Sequence, residues 1–78
     1  MSISKTQKKE LLKLGKRIKL LRASKQLTQK ELALNIDKDQ QSIQRLERGD
    51  INPGYLYLLQ ISEGLEIEIS ELLKGISE

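Results

Sequence analysis

Three glutamines and an arginine between residues 40 and 45 have the types and spacing of side chains that contact nucleobases. They are Gln40, Gln41, Gln44 and Arg45. On a helix, residues one, four and five positions apart lie on one face, so these side chains would project together. Glutamine pairs bidentately with adenine, and arginine with guanine, at base edges in the DNA major groove. The spacing therefore indicates a base-reading face. The alternative is an ordinary polar helix surface, which more often carries Glu and Lys.

Two short helices joined by a tight turn are predicted to position this face. Thr28 and Glu31 have the spacing of a capping box that begins the first helix, and Asp39 is a suitable N-cap for the second. Asp37 lies in the turn, where Asp tolerates a left-handed backbone better than most residues. Gly49 ends the second helix as its C′ residue. The apolar positions predicted to face inward are Leu32, Ala33, Ile36, Ile43 and Leu46.

A longer helix is predicted before this pair. Ser4 and Gln7 form a capping pair at its start, and it reaches about Ser24. Its buried stripe, at spacings of three and four, consists of Leu11, Leu14, Ile18 and Leu21. Arg22 falls in register with this stripe. Because an unpaired inward charge costs several kcal/mol, we expect a buried acidic partner for it.

Two further helices are predicted after Gly49. Asn52 would cap the fourth helix, with Pro53 in its first turn and its end near Gly64. A short helix over residues 70–73 would follow. Inward positions of the fourth helix are predicted to be Tyr55, Leu58, Ile61 and Ser62. We place Tyr57 on the outer side beside Leu56, where the two could form part of a dimer contact.

Composition excludes several classes of site. The 78 residues suffice for one domain with a small core, to which we assign residues 1–78. The absence of Cys and His excludes disulfides and thiolate metal sites, and it removes the commonest general base. Without a glycine-rich phosphate loop or clustered carboxylates, we expect neither an enzyme nor a cofactor. No signal peptide or membrane-spanning run is visible, so we expect a cytoplasmic protein.

Charge is divided unequally along the chain. Residues 1–49 contain thirteen Lys and Arg against five Asp and Glu, whereas residues 50–78 contain one Lys against six acidic residues. The total is only +3. This segregation indicates one face directed toward a polyanion and another directed away from it. The alternative, a mixture of solvated surface charges, would not be expected to segregate in this way.

Several spaced segments resemble the helix-turn-helix domains of phage repressors and Cro proteins, the XRE-like family. They are LGKRIKLLR at residues 14–22, LTQKELA at 27–33, SIQRLERG at 42–49, Pro53, and LLQISEGLEI at 58–67. The resemblance covers residues 14–73, and residues 1–13 extend the first helix beyond it. The two glutamines that begin the predicted recognition helix look especially like those of lambdoid phage repressors.

The resemblance implies an all-α bundle of five helices that binds operator DNA as a two-fold symmetric homodimer. The third helix would lie in the major groove. Gln40 and Gln41 would read base edges there, and Gln44 and Arg45 would contact bases or the adjacent backbone.

The same resemblance implies two phosphate contacts and a scaffold ion pair. Gln29 would hold one phosphate at the N-terminus of the second helix, where free amides and the helix dipole attract anions. Arg48 and the main chain near Gly49 would hold another. Glu47 matches the acidic residue that pairs with the inward arginine, here Arg22.

The function implied is sequence-specific binding of double-stranded DNA by a transcription regulator, a repressor that reads a pseudo-palindromic operator. The alternative is an antitoxin or other protein-interaction module, whose acidic C-terminal half binds and silences a partner protein. Two features depart from the family pattern. Gln26 and Asp37 stand where the family often has glycine, and the loop at residues 50–52 lacks a Lys or Arg for the minor groove.

Overall fold

Five helices lie within residues 3–76, the part of the chain that the computed structural model describes. In order they are α1 (Lys5–Ser24), α2 (Gln29–Asn35), α3 (Gln40–Glu47), α4 (Tyr55–Gly64) and α5 (Ile69–Leu72). Residues 3–76 contain no strand, and the predicted all-α, five-helix fold is confirmed. The predicted domain also includes residues 1, 2, 77 and 78. Because these lie outside the described residues, the domain assignment stays a prediction.

The helices enclose one cluster of buried apolar side chains. Its largest fully buried members are Ile18, Leu32, Ile43, Leu46, Ile61, Leu65 and Leu72. Burying each such side chain contributes about 1.5–3 kcal/mol relative to leaving it in water. The inner faces predicted for the first three helices are confirmed, with Leu11 and Leu21 partly rather than fully buried.

Side chains close the start of each of the first three helices, as predicted. The Ser4 hydroxyl accepts from the Gln7 amide at 3.1 Å, and the Gln7 side chain accepts from the Ser4 amide at 3.0 Å. Thr28 and Glu31 form the equivalent reciprocal pair at 3.0 and 2.9 Å. The Asp39 carboxylate accepts from the Ser42 amide at 2.8 Å. These bonds satisfy amides that have no partner inside the helix.

Left-handed turns end four of the five helices. The residues at C′ are Gln26, Asp37, Gly49 and Glu66, with φ between 57° and 73°. In each turn the following amide donates to a carbonyl five residues earlier, as Lys38 does to Ala33 at 2.8 Å. Outside glycine this conformation costs about 1–2 kcal/mol. Gln26 and Asp37, which stand where the family often has glycine, therefore carry this strain, and Glu66 adds a third such position.

The predicted start of α4 and the predicted bounds of α5 were wrong by one or two residues, whereas the predicted end of α4 near Gly64 is confirmed. Pro53 precedes α4 and does not lie in its first turn. Gly54, not Asn52, is the N-cap of α4, because the backbone remains extended through Gly54 and its carbonyl accepts from Leu58 at 3.1 Å. Gly64 lies inside the last turn of α4. Its absent side chain permits close packing, since a Cβ there would lie 2.6 Å from the Ile36 Cγ2 atom. Helix α5 occupies Ile69–Leu72 rather than residues 70–73.

The predicted positions of the two tyrosines were also wrong. Tyr55 is 65% exposed, whereas Tyr57 packs against the core. The Tyr57 hydroxyl lies 2.6 Å from the Ser42 hydroxyl, and the Lys38 ammonium lies 5.1 Å from the centre of its ring. The inner face of α4 follows Tyr57, Ile61 and Leu65, at spacings of four. Because Tyr55 lies two positions before Tyr57, it falls on the opposite side of the helix and faces outward.

Candidate nucleic-acid interface

Helix α3 separates two kinds of surface. Its inner face, which consists of Ile43, Leu46 and Glu47, is buried against α1 and α2. Gln40, Gln41, Gln44 and Arg45 are all exposed. The helix therefore presents the predicted base-reading residues together, on the side away from the core.

Close packing against α1 fixes the C-terminal half of α3. Gly15 of α1 is buried, and a Cβ there would overlap the main-chain carbonyl of Glu47. Any larger residue at this position would push the two helices apart. The exposed face of α3 is therefore carried on a helix whose backbone contacts α1 directly.

A buried ion pair joins α3 to α1. The Arg22 Nε atom donates to the Glu47 Oε2 atom at 2.7 Å, and its Nη2 atom donates to Oε1 at 3.0 Å. The two side chains are only 13% and 3% exposed. Arg22 also donates to the Leu27 carbonyl at 2.8 Å. The hydrogen bond to Glu47 raises the pKa of the Arg22 guanidinium, against the opposing effect of desolvation. The Arg22 guanidinium is thus held in its charged form.

Gln29 extends this network to α2. It is the first residue of α2 and half-buried, and its Nε2 atom donates to the Glu47 Oε1 atom at 3.2 Å. A side-chain amide carries two N–H donors, so one remains for a second acceptor. Glu47 consequently links three helices, and the predicted phosphate ligand Gln29 is oriented by a scaffold residue. No local sequence pattern predicts this contact, which spans 18 positions.

A cluster of charged groups surrounds the C-terminal end of α3. Arg48 is exposed, as a phosphate ligand must be, and its Nε atom lies 3.4 Å from the Asp50 Oδ2 atom. The Lys8 ammonium donates to the Gly49 carbonyl at 2.6 Å and to Asp50 Oδ1 at 2.9 Å. The hydrogen bond from Lys8 is the main cause of a lowered pKa of Asp50. Sequence reasoning missed the roles of Lys8 and Asp50.

Among residues 3–76, no group of three or more His, Cys, Asp and Glu side chains is arranged to hold a metal ion. Over the same residues, no helix combines the length and the apolar character needed to cross a membrane.

Comparison with known proteins gives one family and several similar structures. The helix-turn-helix family HTH_3 matches residues 18–72. The restriction-modification controller protein C.AhdI from Aeromonas hydrophila is 34% identical, with 82% of this chain and 97% of that chain covered and a TM-score of 0.80. The controller protein C.Esp1396I, solved as a tetramer with its natural 35 base-pair operator, is 32% identical over 88% and 96% of the two chains, with a TM-score of 0.77.

A third structure shares the fold. The clp gene regulator ClgR from C. glutamicum is 24% identical over 87% of this chain and 88% of its own, with a TM-score of 0.82. No curated protein matches the chain.

Proposed function

Because the chain belongs to the XRE type of the HTH_3 helix-turn-helix family of DNA-binding transcription regulators, we propose that it represses transcription from a pseudo-palindromic operator. It binds the operator as a homodimer, with α3 of each copy in a major groove. The observation that carries this proposal is the construction of α3. Its exposed face has the side chains that recognise adenine and guanine, while its buried face is locked to α1 and α2.

Base reading is assigned to the N-terminal part of α3. Gln40 and Gln41 occupy its first two positions and reach base edges, where an amide can both donate and accept. Gln44 and Arg45 lie one turn further along and contact bases or the adjoining backbone. Rigid support limits the orientations available to these side chains, so that the wrong base leaves a polar group unpaired.

Phosphate binding is assigned to groups on both sides of this face. Gln29 donates its second N–H to one phosphate, at a helix end where free amides also point outward. Arg48 holds another phosphate beyond the C-terminal end of α3. With the exposed lysines of α1, these contacts supply the salt-dependent part of the affinity, and α3 supplies the sequence preference.

The homodimer is supported by apolar surface on α4. Leu56 is 74% exposed and the adjoining Tyr55 is 65% exposed. Neighbouring exposed side chains of this size favour a protein contact. The tetramer of C.Esp1396I on its operator shows that a similar protein assembles on DNA.

The test is selection of random duplex DNA on the purified protein, with salt titrations and repeats with Gln40→Ala and Gln41→Ala. We expect the wild type to enrich a two-fold symmetric site. Each substitution should relax one position per half-site by about 1–3 kcal/mol. Gln60→Ala, on the exposed side of α4, is the matched control and should leave the site unchanged.

Weak binding without sequence preference would contradict the proposal. So would a consensus that Gln40→Ala and Gln41→Ala leave intact. Copurification of a second protein that masks DNA binding would favour the antitoxin alternative instead.

A further inference from the structure

One carboxylate lies among three cations at the C-terminal end of α3. The Asp50 Oδ1 atom is 2.9 Å from the Lys8 ammonium, and its Oδ2 atom is 3.4 Å from Arg48 Nε. The positive charge of Arg45, on the base-reading face, also lowers the pKa of this carboxylate. Lys8, Arg45 and Arg48 come from two different helix ends, and they converge beside the surface that is proposed to meet DNA.

The backbone fixes the position of this carboxylate. The Gly49 amide donates to the Leu46 carbonyl at 3.1 Å, and the Asp50 amide donates to the Arg45 carbonyl at 2.9 Å. These two bonds form a Schellman turn, which sets the direction of the chain at Asp50. A substitution at Asp50 would therefore leave the backbone, and the direction of the Cα–Cβ bond, unchanged.

The position of Lys8 depends only partly on Asp50. Its ammonium also donates to the Gly49 carbonyl at 2.6 Å, at the negative end of the α3 dipole. This bond would keep the ammonium in place if the carboxylate were removed. An ammonium has three N–H donors, so an anion can bind while the carbonyl contact is retained.

We propose that Lys8 and Arg48 form a binding site for a DNA backbone phosphate, and that Asp50 occupies this site in the free protein. The inference rests on the proposed function, because it requires α3 to lie against duplex DNA. Carboxylate and phosphate oxygens accept hydrogen bonds from the same cations, so the two anions compete. Both Lys8 and Asp50 side chains are 40% exposed, which leaves the site open to the backbone. Asp50 thus lowers the affinity for any duplex, without regard to sequence.

The experiment measures binding of Asp50→Asn to the selected operator and to an unrelated duplex over a range of salt concentrations. Removing the carboxylate should tighten binding to both duplexes about fivefold to tenfold at roughly 0.1 M monovalent salt. The slope of log K against log salt should become steeper by about 0.9, because one more phosphate is neutralised. The melting temperature should change little, since exposed ion pairs contribute little to folding.

Two further variants distinguish release of a phosphate site occupied by Asp50 from a general effect of net charge on the affinity for DNA. Glu10→Gln makes the same charge change at another exposed ion pair of α1, where Glu10 lies 3.4 Å from Lys13, and it should alter affinity less than twofold. Lys8→Met removes the proposed ligand. In that background, Asp50→Asn should no longer steepen the salt dependence, and most of its gain in affinity should be lost.

Several results would overturn the inference. They are an unchanged affinity in Asp50→Asn, an equal gain in Glu10→Gln, or an undiminished gain in the Lys8→Met background. If the wild type selects an operator but Asp50→Asn binds no more tightly, the phosphate site is wrong and the proposed function stands. If the wild type binds no duplex, both fail together.

Discussion

The α2–α3 pair and the α4–α5 pair differ in how the starts of their helices are capped and in which side chains their outer faces expose. Thr28 and Asp39 close the starts of α2 and α3 with side-chain hydrogen bonds, whereas Gly54 and Glu68 provide none for α4 and α5. The outer face of α3 is polar. The outer face of α4 exposes Leu56 beside another large side chain, Tyr55.

This difference distinguishes helices whose ends are specified by local sequence from helices that depend on tertiary packing. The ends of α2 and α3 are specified by their own residues, so the exposed face of α3 has a defined orientation before any partner arrives. Helices α4 and α5 depend more on the core that they cover. Their free apolar surface suits a protein partner rather than DNA.

The largest effect should come from removing the group that locks the α2–α3 pair to α1. Glu47→Ala strands the buried Arg22 guanidinium and leaves Gln29 without its acceptor, so it should destabilise the protein by about 3–5 kcal/mol in thermal or chemical unfolding. Glu71→Ala is the matched control in α5. It breaks an ion pair to Arg17 in which the Glu71 side chain is 48% exposed, and it should cost less than about 1 kcal/mol.

Equal effects of Glu47→Ala and Glu71→Ala would remove the energetic distinction between the two regions. A melt of Glu47→Ala close to that of the wild type would show that the pair contributes little in solution. The predicted loss follows from the limited access of water to the pair, since the Arg22 side chain is 13% exposed and the Glu47 side chain is 3% exposed.

Capping and periodicity explain why α1, α2 and α3 could be predicted from sequence. Both signals are local, and the inner positions of these helices alternate clearly with polar ones. In α4, residues 55–59 are Tyr, Leu, Tyr, Leu and Leu. Five consecutive apolar residues do not define a unique inner face, and the face that includes Tyr55 was chosen wrongly. Only contact with the core fixes the face that includes Tyr57.

The candidate interface was predictable to a similar degree. The exposed positions of Gln40, Gln41, Gln44 and Arg45 follow from helical spacing, and the inward register of Arg22 predicted an acidic partner. Lys8 could not be singled out, because it is one of several lysines in α1 and lies 42 positions from Asp50. Long-range pairing of this kind depends on how helices pack, which spacing alone does not reveal.

A medium effect is expected where α4 packs on α2. In Gly64→Ala, the new methyl group would lie 2.6 Å from Ile36 Cγ2 and 2.9 Å from Leu32 Cδ1, both on buried side chains. Overpacking should cost about 1–3 kcal/mol, which outweighs the gain of up to about 1 kcal/mol from the better helix propensity of Ala. Chemical denaturation measures the difference. Gly54→Ala, with no atom within 4 Å of its new Cβ, is the control for added volume.

A stabilised Gly64→Ala variant would mean that α4 moves away from α2 without penalty. The contact between α4 and the helix-turn-helix would then be looser than the structure indicates. In that case, the dependence of α4 on core packing would have to come from contacts other than the one between Gly64 and α2.

The smallest effects concern the helix caps, and they test the comparison most directly. Thr28→Ala should destabilise the protein by about 1 kcal/mol, because the Glu31 amide loses its acceptor. Gly54→Asp should stabilise it by a few tenths of a kcal/mol, because α4 then acquires a side-chain cap near its positive dipole end. Denaturant titrations of the wild type and both variants, analysed with one common m-value, resolve both changes in the free energy of unfolding. If Gly54→Asp is neutral while Thr28→Ala is costly, the start of α4 is already satisfied by solvent or neighbouring groups. The contrast between the two helix pairs would then lie in their outer faces rather than in their caps.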